Sequence, residues 1–162
     1  MYDQFLPLIL FGIATAFTPG PNNILSSFSG FNFGFKKTIP LMLGVILGWT
    51  TMLTIMASGL IIIFQKYIFL QSIIKILGTI FLIYLAYKIA FSSANDSENI
   101  KKPVLFFDTF LFQFINPKGV MVAMIAVSTF IDVQNNYLRD ATIVIITYFF
   151  MAVFSVSSWC LL

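Results

Sequence analysis

The chain has 162 residues, of which 59% are hydrophobic and 9% charged, with a net charge of +3. Soluble domains carry roughly 25% charged residues, so an ordinary globular domain is excluded and a polytopic, all-α membrane helix bundle is indicated. One cysteine and no histidine exclude an internal disulfide, a Cys/His metal cluster and a histidine proton relay. The small excess of positive charge reads as basic loops, with no nucleic-acid role, and no cofactor is expected.

The start, Met1-Tyr2-Asp3, lacks the basic region of a cleavable signal, so the first span is expected to stay in the mature protein. That span runs from about Phe5 to Phe28, inside a stretch from Gln4 to Phe35 that holds no charge. It is interrupted by Phe17-Thr18-Pro19-Gly20-Pro21-Asn22-Asn23. The two prolines remove two backbone donors and crowd the carbonyls of Thr15 and Phe17. A membrane interior tolerates freed carbonyls only where protein groups or a hydrated cavity take over their bonds. Thr18, Asn22 and Asn23 are the nearby side chains able to do so, and a broken polar helix at this depth points to a path or binding site for a solute.

The second span lies within Thr38–Gln65, where Gly44, Gly48 and Gly59 suit close helix packing. The third runs from about Tyr67 to Phe91 and contains Lys75, with Lys88 near its end. Residues 92–103 form a polar linker. The fourth span, about Phe106–Ile131, carries Asn116-Pro117-Lys118 near its middle. Asp132–Asp140 is a polar turn, and Ala141–Leu162 is a charge-free fifth span. That span stops with no flanking polar residue, so the expectation is a chain cut short before a sixth.

Lys36, Lys37, Lys88, Lys101 and Lys102 fall on one side of the membrane, Lys66 and Arg139 on the other. The richer side is expected to be cytoplasmic, with the N-terminus outside. Spans one and four then cross in opposite directions, each with a central proline break. This is the mark of an inverted repeat: residues 1–91 as the first three-helix unit, 92–103 as a cytoplasmic linker and 104–162 as an incomplete second unit.

Thr18-Pro19 and Asn116-Pro117 both read as a capping residue followed by proline in the first helical position. Each would begin a half-helix whose N–H groups and positive dipole end face the membrane centre, attracting an anionic group such as a carboxylate. Lys118 adds a full charge whose insertion cost, about 2.5–3.5 kcal/mol at a helix centre, argues for use. For Lys75, two turns into its span, snorkelling to the headgroups and function are equally open. Asp108 reads as interfacial. Phe17, Phe114 and Trp49 are placed to line a path, and most of the 20 phenylalanines to face lipid.

The motif Thr18-Pro19-Gly20-Pro21-Asn22-Asn23, then Gly34-Phe35-Lys36, Gly44 and Gly48, Lys75-Ile76-Leu77-Gly78, Tyr84-Leu85-Ala86-Tyr87-Lys88 and Asn116-Pro117-Lys118 together resemble the LysE/RhtB family of amino-acid exporters. Gln113-Phe114 and Ser128-Thr129-Phe130 look most similar to its cysteine/O-acetylserine branch. The resemblance implies six spans and proton-driven export of small amino acids or their derivatives across the inner (plasma) membrane. It makes a small amino acid and the lipid bilayer the partners, with room for a homo-oligomer. The expected substrate-binding residues are Thr18, Pro19, Gly20, Pro21, Asn22, Asn23, Lys75, Asn116, Pro117 and Lys118. A passive channel and an inactive fragment of an exporter are the alternatives. An enzyme is disfavoured because no span pairs a nucleophile with a base.

Overall fold

Pro21 and Pro117 open helices and Gly34 joins two, whereas Pro7 and Pro40 are carried inside helices. A computed structural model describes residues 2–92, 104–132 and 134–162. The described residues form helices and connections without strands. The helices are α1 (Tyr2–Phe17), α2 (Pro21–Phe33), α3 (Phe35–Ile55), α4 (Ile61–Lys66), α5 (Ile68–Ser92), α6 (Phe106–Phe112), α7 (Pro117–Phe130) and α8 (Tyr137–Leu161). The chain is thus an all-α membrane helix bundle. The expectations for Lys101, Lys102 and most of the 92–103 linker lie outside the described residues.

Two helical runs are long and apolar enough to cross a membrane: Phe35–Lys66, in which a π-helical turn at Met56–Leu60 with Gly59 at φ +122° joins α3 to α4, and Tyr137–Leu161. Two more are bent pairs, α1 with α2 at 53° and α6 with α7 at 55°. The peripheral α5 has 25 residues, about 37 Å at 1.5 Å per residue, enough for a span of its own. The expected boundaries shift in three places. α2 continues to Phe33, and α3 already begins at Phe35, which puts Lys36 and Lys37 in its first turn. Gly34 makes that sharp join, at φ +78°, where a side chain would be strained. α8 begins four residues early, at Tyr137, because Asp140 is drawn into its first turn as a buried acceptor for the Asp132 N–H at 3.2 Å. The Asp132 carboxyl in the adjoining turn is held below the usual carboxylate range, chiefly by the Asn135 amide and then by the Gln134 N–H.

α3 and α8 form the centre, and both contribute to two separate apolar clusters. Met52 and Leu53 of α3, with Met56 just beyond its end, pack with Val144 and Tyr148 of α8 and with Ala123, Ala126 and Val127 of α7. Half a helix away, Leu41, Val45 and Ile46 of α3 pack with Val156 and Cys160 of α8 and Leu25 of α2. Trp49 and Ser155 fall between the two clusters along their helices. The outer surface is apolar too, with Leu6, Leu10, Phe31, Ile80, Ile83, Leu111 and Phe154 all exposed, as a hydrocarbon solvent allows.

Small residues set the helix spacing. A β-carbon at Gly44 would overlap Thr109 Oγ1 and the Phe106 carbonyl, and one at Gly48 would lie 2.6 Å from the Phe110 carbonyl. α6 therefore rests directly on the α3 backbone, and Thr109 Oγ1 donates to the Leu41 carbonyl at 3.0 Å. At Gly78 of α5 a β-carbon would overlap Pro117, so that glycine seats the third span on the second break. Phe81 stacks on Phe112 one turn further along, at 4.3 Å.

Candidate functional site

The first break is built from the end of α1. After Phe17 the chain leaves the helix, and Gly20, in an extended conformation, becomes the N-cap of α2 with Pro21 in the first helical position. The expectation of a Thr18 cap with Pro19 at that position is therefore corrected. Thr18 instead closes α1, its hydroxyl donating back to the Ala14 carbonyl. Gly20 is extended because Pro21 follows it, and its missing β-carbon leaves room for Lys118, whose Cδ and Nζ would lie 2.9 Å and 3.0 Å from one.

The carbonyls of Ala16, Phe17 and Thr18 at this break find side-chain donors, most of them from far along the chain. Asn23 Nδ2 donates to Ala16 O at 2.8 Å and to Thr18 O at 3.0 Å. Ser155 Oγ of α8 donates to Ala16 O at 2.7 Å, and Trp159 Nε1 to Phe17 O at 3.3 Å. Lys118 Nζ donates to Thr18 O at 2.7 Å, with Pro19 O at 3.5 Å. The caretaker of these carbonyls within the motif is Asn23, buried at the break, and Asn22 has a different partner. Its amide pairs reciprocally with Gln113, Nδ2 to Oε1 at 2.8 Å and Oδ1 from Nε2 at 3.0 Å. One residue of offset turns a side chain by about 100° around a helix, which separates the two roles.

The second break follows expectation. α6 tightens into i→i−3 bonds from Gln113, Phe114 and Ile115, and Asn116 then caps α7 by accepting the Gly119 N–H at 3.4 Å, with Pro117 in the first helical position.

The two breaks face each other across a cavity of about 60 Å³, room for about four waters. Gly20, Pro21, Asn22 and Asn23 line one side and Asn116, Lys118 and Gly119 another. Trp49 and Tyr148, stacked with centroids 5.0 Å apart and planes 9° from parallel, form an aromatic wall. Thr15 and Ser155 complete the polar lining. Thus the N-terminal turns of both half-helices open on one space, and the first-turn N–H groups of Asn22, Asn23 and Lys118 have no intrahelical acceptor by position. Among the described residues Lys118 is the one charged side chain in the lining. Such a cavity favours a small solute bearing a negative group.

Six of the expected site residues line this cavity: Gly20, Pro21, Asn22, Asn23, Asn116 and Lys118. Thr18 and Pro19 contribute only their carbonyls, to Lys118. Lys75 is exposed on α5 and, with Pro117, borders a separate pocket of about 10 Å³. Phe17 and Phe114 do not reach the cavity lining, whereas Trp49 does. Sequence reasoning passed over Gln113, Tyr148, Ser155 and Trp159. Gln113 carried a usable signal, an amide inside an otherwise apolar helix; the others lie in α8, where no local break marks them.

Two broken helices meeting at one cavity inside a membrane bundle is an arrangement found at the solute sites of secondary transporters. Comparison with known proteins agrees: the model of the LysE type translocator family matches residues 13–162, and the chain belongs to that family. Among curated relatives it is similar to the cysteine/O-acetylserine efflux protein of Salmonella choleraesuis (strain SC-B67), at 35% identity over 130 residues. It is similar also to the protein of that name in Escherichia coli (strain K12), at 32% identity over 129 residues. In both cases the matched region is 78% of this chain and 65% of the relative. No solved structure gives a significant match.

Proposed function

We propose that this chain carries the solute pathway of a secondary-active exporter for small amino acids or their derivatives, of the size of cysteine or O-acetylserine, in the cytoplasmic membrane. The observation that carries the reading is the meeting of both half-helix N-termini and Lys118 at one cavity. A zwitterion would place its carboxylate against the Lys118 ammonium and the N–H groups of Asn22 and Asn23. Its amino group would take the aromatic face of the Trp49–Tyr148 wall. The near-equal bends, each followed by proline in the first helical position, support an inverted repeat in which α1–α5 form one unit and α6–α8 part of the other. Named efflux relatives support the direction of transport.

Efflux from cells loaded with cysteine, O-acetylserine, threonine or homoserine tests this. Saturable efflux that stops when a protonophore collapses the gradient is expected. Non-saturable flux that survives the protonophore would establish the channel alternative instead. Lys118→Ala should lower efflux about tenfold or more at equal membrane abundance, the loss of one charge-assisted bond of about 1.5–3 kcal/mol. Lys66→Ala, at the end of α4 and away from the cavity, should change little; unchanged efflux in Lys118→Ala would remove the reading.

The orientation we infer puts Lys36 in the cytoplasm and Asn135 outside. Tyr137 OH donates to the Ala57 carbonyl at 2.9 Å, so the start of α8 lies at the Lys66 end of the α3–α4 run, opposite Lys36. In a Cys160→Ser background, a membrane-impermeant thiol reagent added to intact cells should label Asn135→Cys and spare Lys36→Cys. The reverse pattern would invert the topology.

A further inference from the structure

The carboxyl end of a helix is the negative pole of its dipole, and carbonyls unwound at such an end are the usual ligands for a small cation inside membrane transporters. At the end of α1 that position is filled from within the chain. Lys118 Nζ lies 2.7 Å from Thr18 O and 3.5 Å from Pro19 O, reached across a sequence separation of 100 residues. Lys118 itself sits in the first turn of α7, where its own helix dipole disfavours a cation. The α1 carbonyls offset that cost, since no carboxylate lines the cavity among the described residues. The fit is shaped as well as charged: Gly20 is bare at the point where a β-carbon would stand 3.0 Å from the ammonium.

We propose that the end of α1 is a monovalent-cation site occupied by the tethered ammonium of Lys118, so that solute binding at the cavity needs no free alkali cation. The occupant balances the α1 carbonyls and leaves a third hydrogen for a solute carboxylate, a part that rests on the transport reading. The cation site itself does not. Deleting the tether should leave a vacancy for a free cation of ammonium size, and Gly20→Ala, which pushes the ammonium aside, should open it partly.

The test uses the purified full chain in detergent at constant ionic strength, with choline, sodium, potassium, ammonium or methylammonium as the cation. Thermal unfolding and the binding of O-acetylserine, followed by tryptophan fluorescence, are the readouts. For Lys118→Ala the melting temperature should rise with ammonium and methylammonium concentration, following simple ligand linkage, and not with choline. The native protein should melt alike in all five salts. Its affinity for O-acetylserine should be the same in choline as in sodium. Lys118→Ala should lose about tenfold or more of that affinity and recover part of it in ammonium. Equal melting of Lys118→Ala in ammonium and choline would overturn the proposal. If that variant does not fold, two measurements still decide: a sodium or potassium requirement for binding by the native protein, or a Gly20→Ala variant indifferent to ammonium, refutes it. A cation-specific shift in a protein that binds no amino acid would keep the cation site and reject the transport reading; solute binding without any cation-specific shift would do the reverse.

Discussion

Gly44→Ala is expected to destabilise the folded bundle by about 2–3 kcal/mol, although alanine is the better helix former by up to about 1 kcal/mol. The added methyl overlaps Thr109 Oγ1 and the Phe106 carbonyl, and backbone cannot swing aside as a side-chain tip does. α3 and α6 must move apart, which strains the bond from Thr109 Oγ1 to Leu41 O and loosens the seat of the second break. Gly48→Ala repeats the effect one turn on, against the Phe110 carbonyl. Gly12→Ala is the control, because its new methyl would touch only the flexible Met151 side chain, at 3.4 Å. Thermal unfolding in detergent should show Gly44→Ala melting about 5 °C or more below Gly12→Ala. Equal melting of the two would mean that α6 does not rest on the α3 backbone.

The Asn22–Gln113 pair yields the second large effect, and it is asymmetric. Asn22→Leu strands the Oε1 of Gln113, whose residue is fully buried and out of reach of water, at a cost of about 1–3 kcal/mol. Gln113→Leu strands Asn22, which lines the cavity and can be rehydrated there, so its cost should be smaller. Replacing both by leucine leaves no orphaned amide in this pair, and the double variant should be more stable than the sum of the singles by about 1–2 kcal/mol. The three melting temperatures form a cycle that measures this directly. Additive costs, or a larger loss in Gln113→Leu, would show that the amides do not depend on each other.

Much of the fold was legible because the signals were local. Apolar runs without charge located the helices, and paired prolines in such runs located both breaks. Asn116-Pro117 was read correctly as cap and first helical residue, since a capping asparagine needs only its own next turn. Thr18-Pro19 carried the same two-residue signal and was misplaced by two positions. What decides there is the second proline: Gly20 precedes Pro21 and is pushed into the extended conformation of a cap, so Pro21 rather than Pro19 opens the helix. The division of labour between Asn22 and Asn23 was hidden, for it depends on the phase of α2 against α8 and α6. Lys75, two turns into its span, left snorkelling and function equally open, because position along a helix says nothing about which way a side chain faces. On α5 it is exposed at the edge of the small pocket beside Pro117, while Leu70, Ile74, Gly78 and Phe81 pack against the bundle.

The dependence of the first break on distant donors has a consequence for biogenesis. The carbonyls of Ala16, Phe17 and Thr18 are completed by Ser155, Trp159 and Lys118, which follow them by 139, 142 and 100 residues. At roughly 5–20 residues per second of synthesis, α1 and α2 exist for roughly 7–30 s before α8 has been made. Over that interval Ser155 and Trp159 are still unmade; Asn23 already serves Ala16 O and Thr18 O, but the Phe17 carbonyl lacks its donor, and a bare carbonyl in hydrocarbon costs several kcal/mol. The nascent hairpin must therefore wait beside water, lipid headgroups or the insertion machinery. The feature encountered first along the chain is among the last to be finished, and the arrival of α8 is the event that lets it enter the membrane interior.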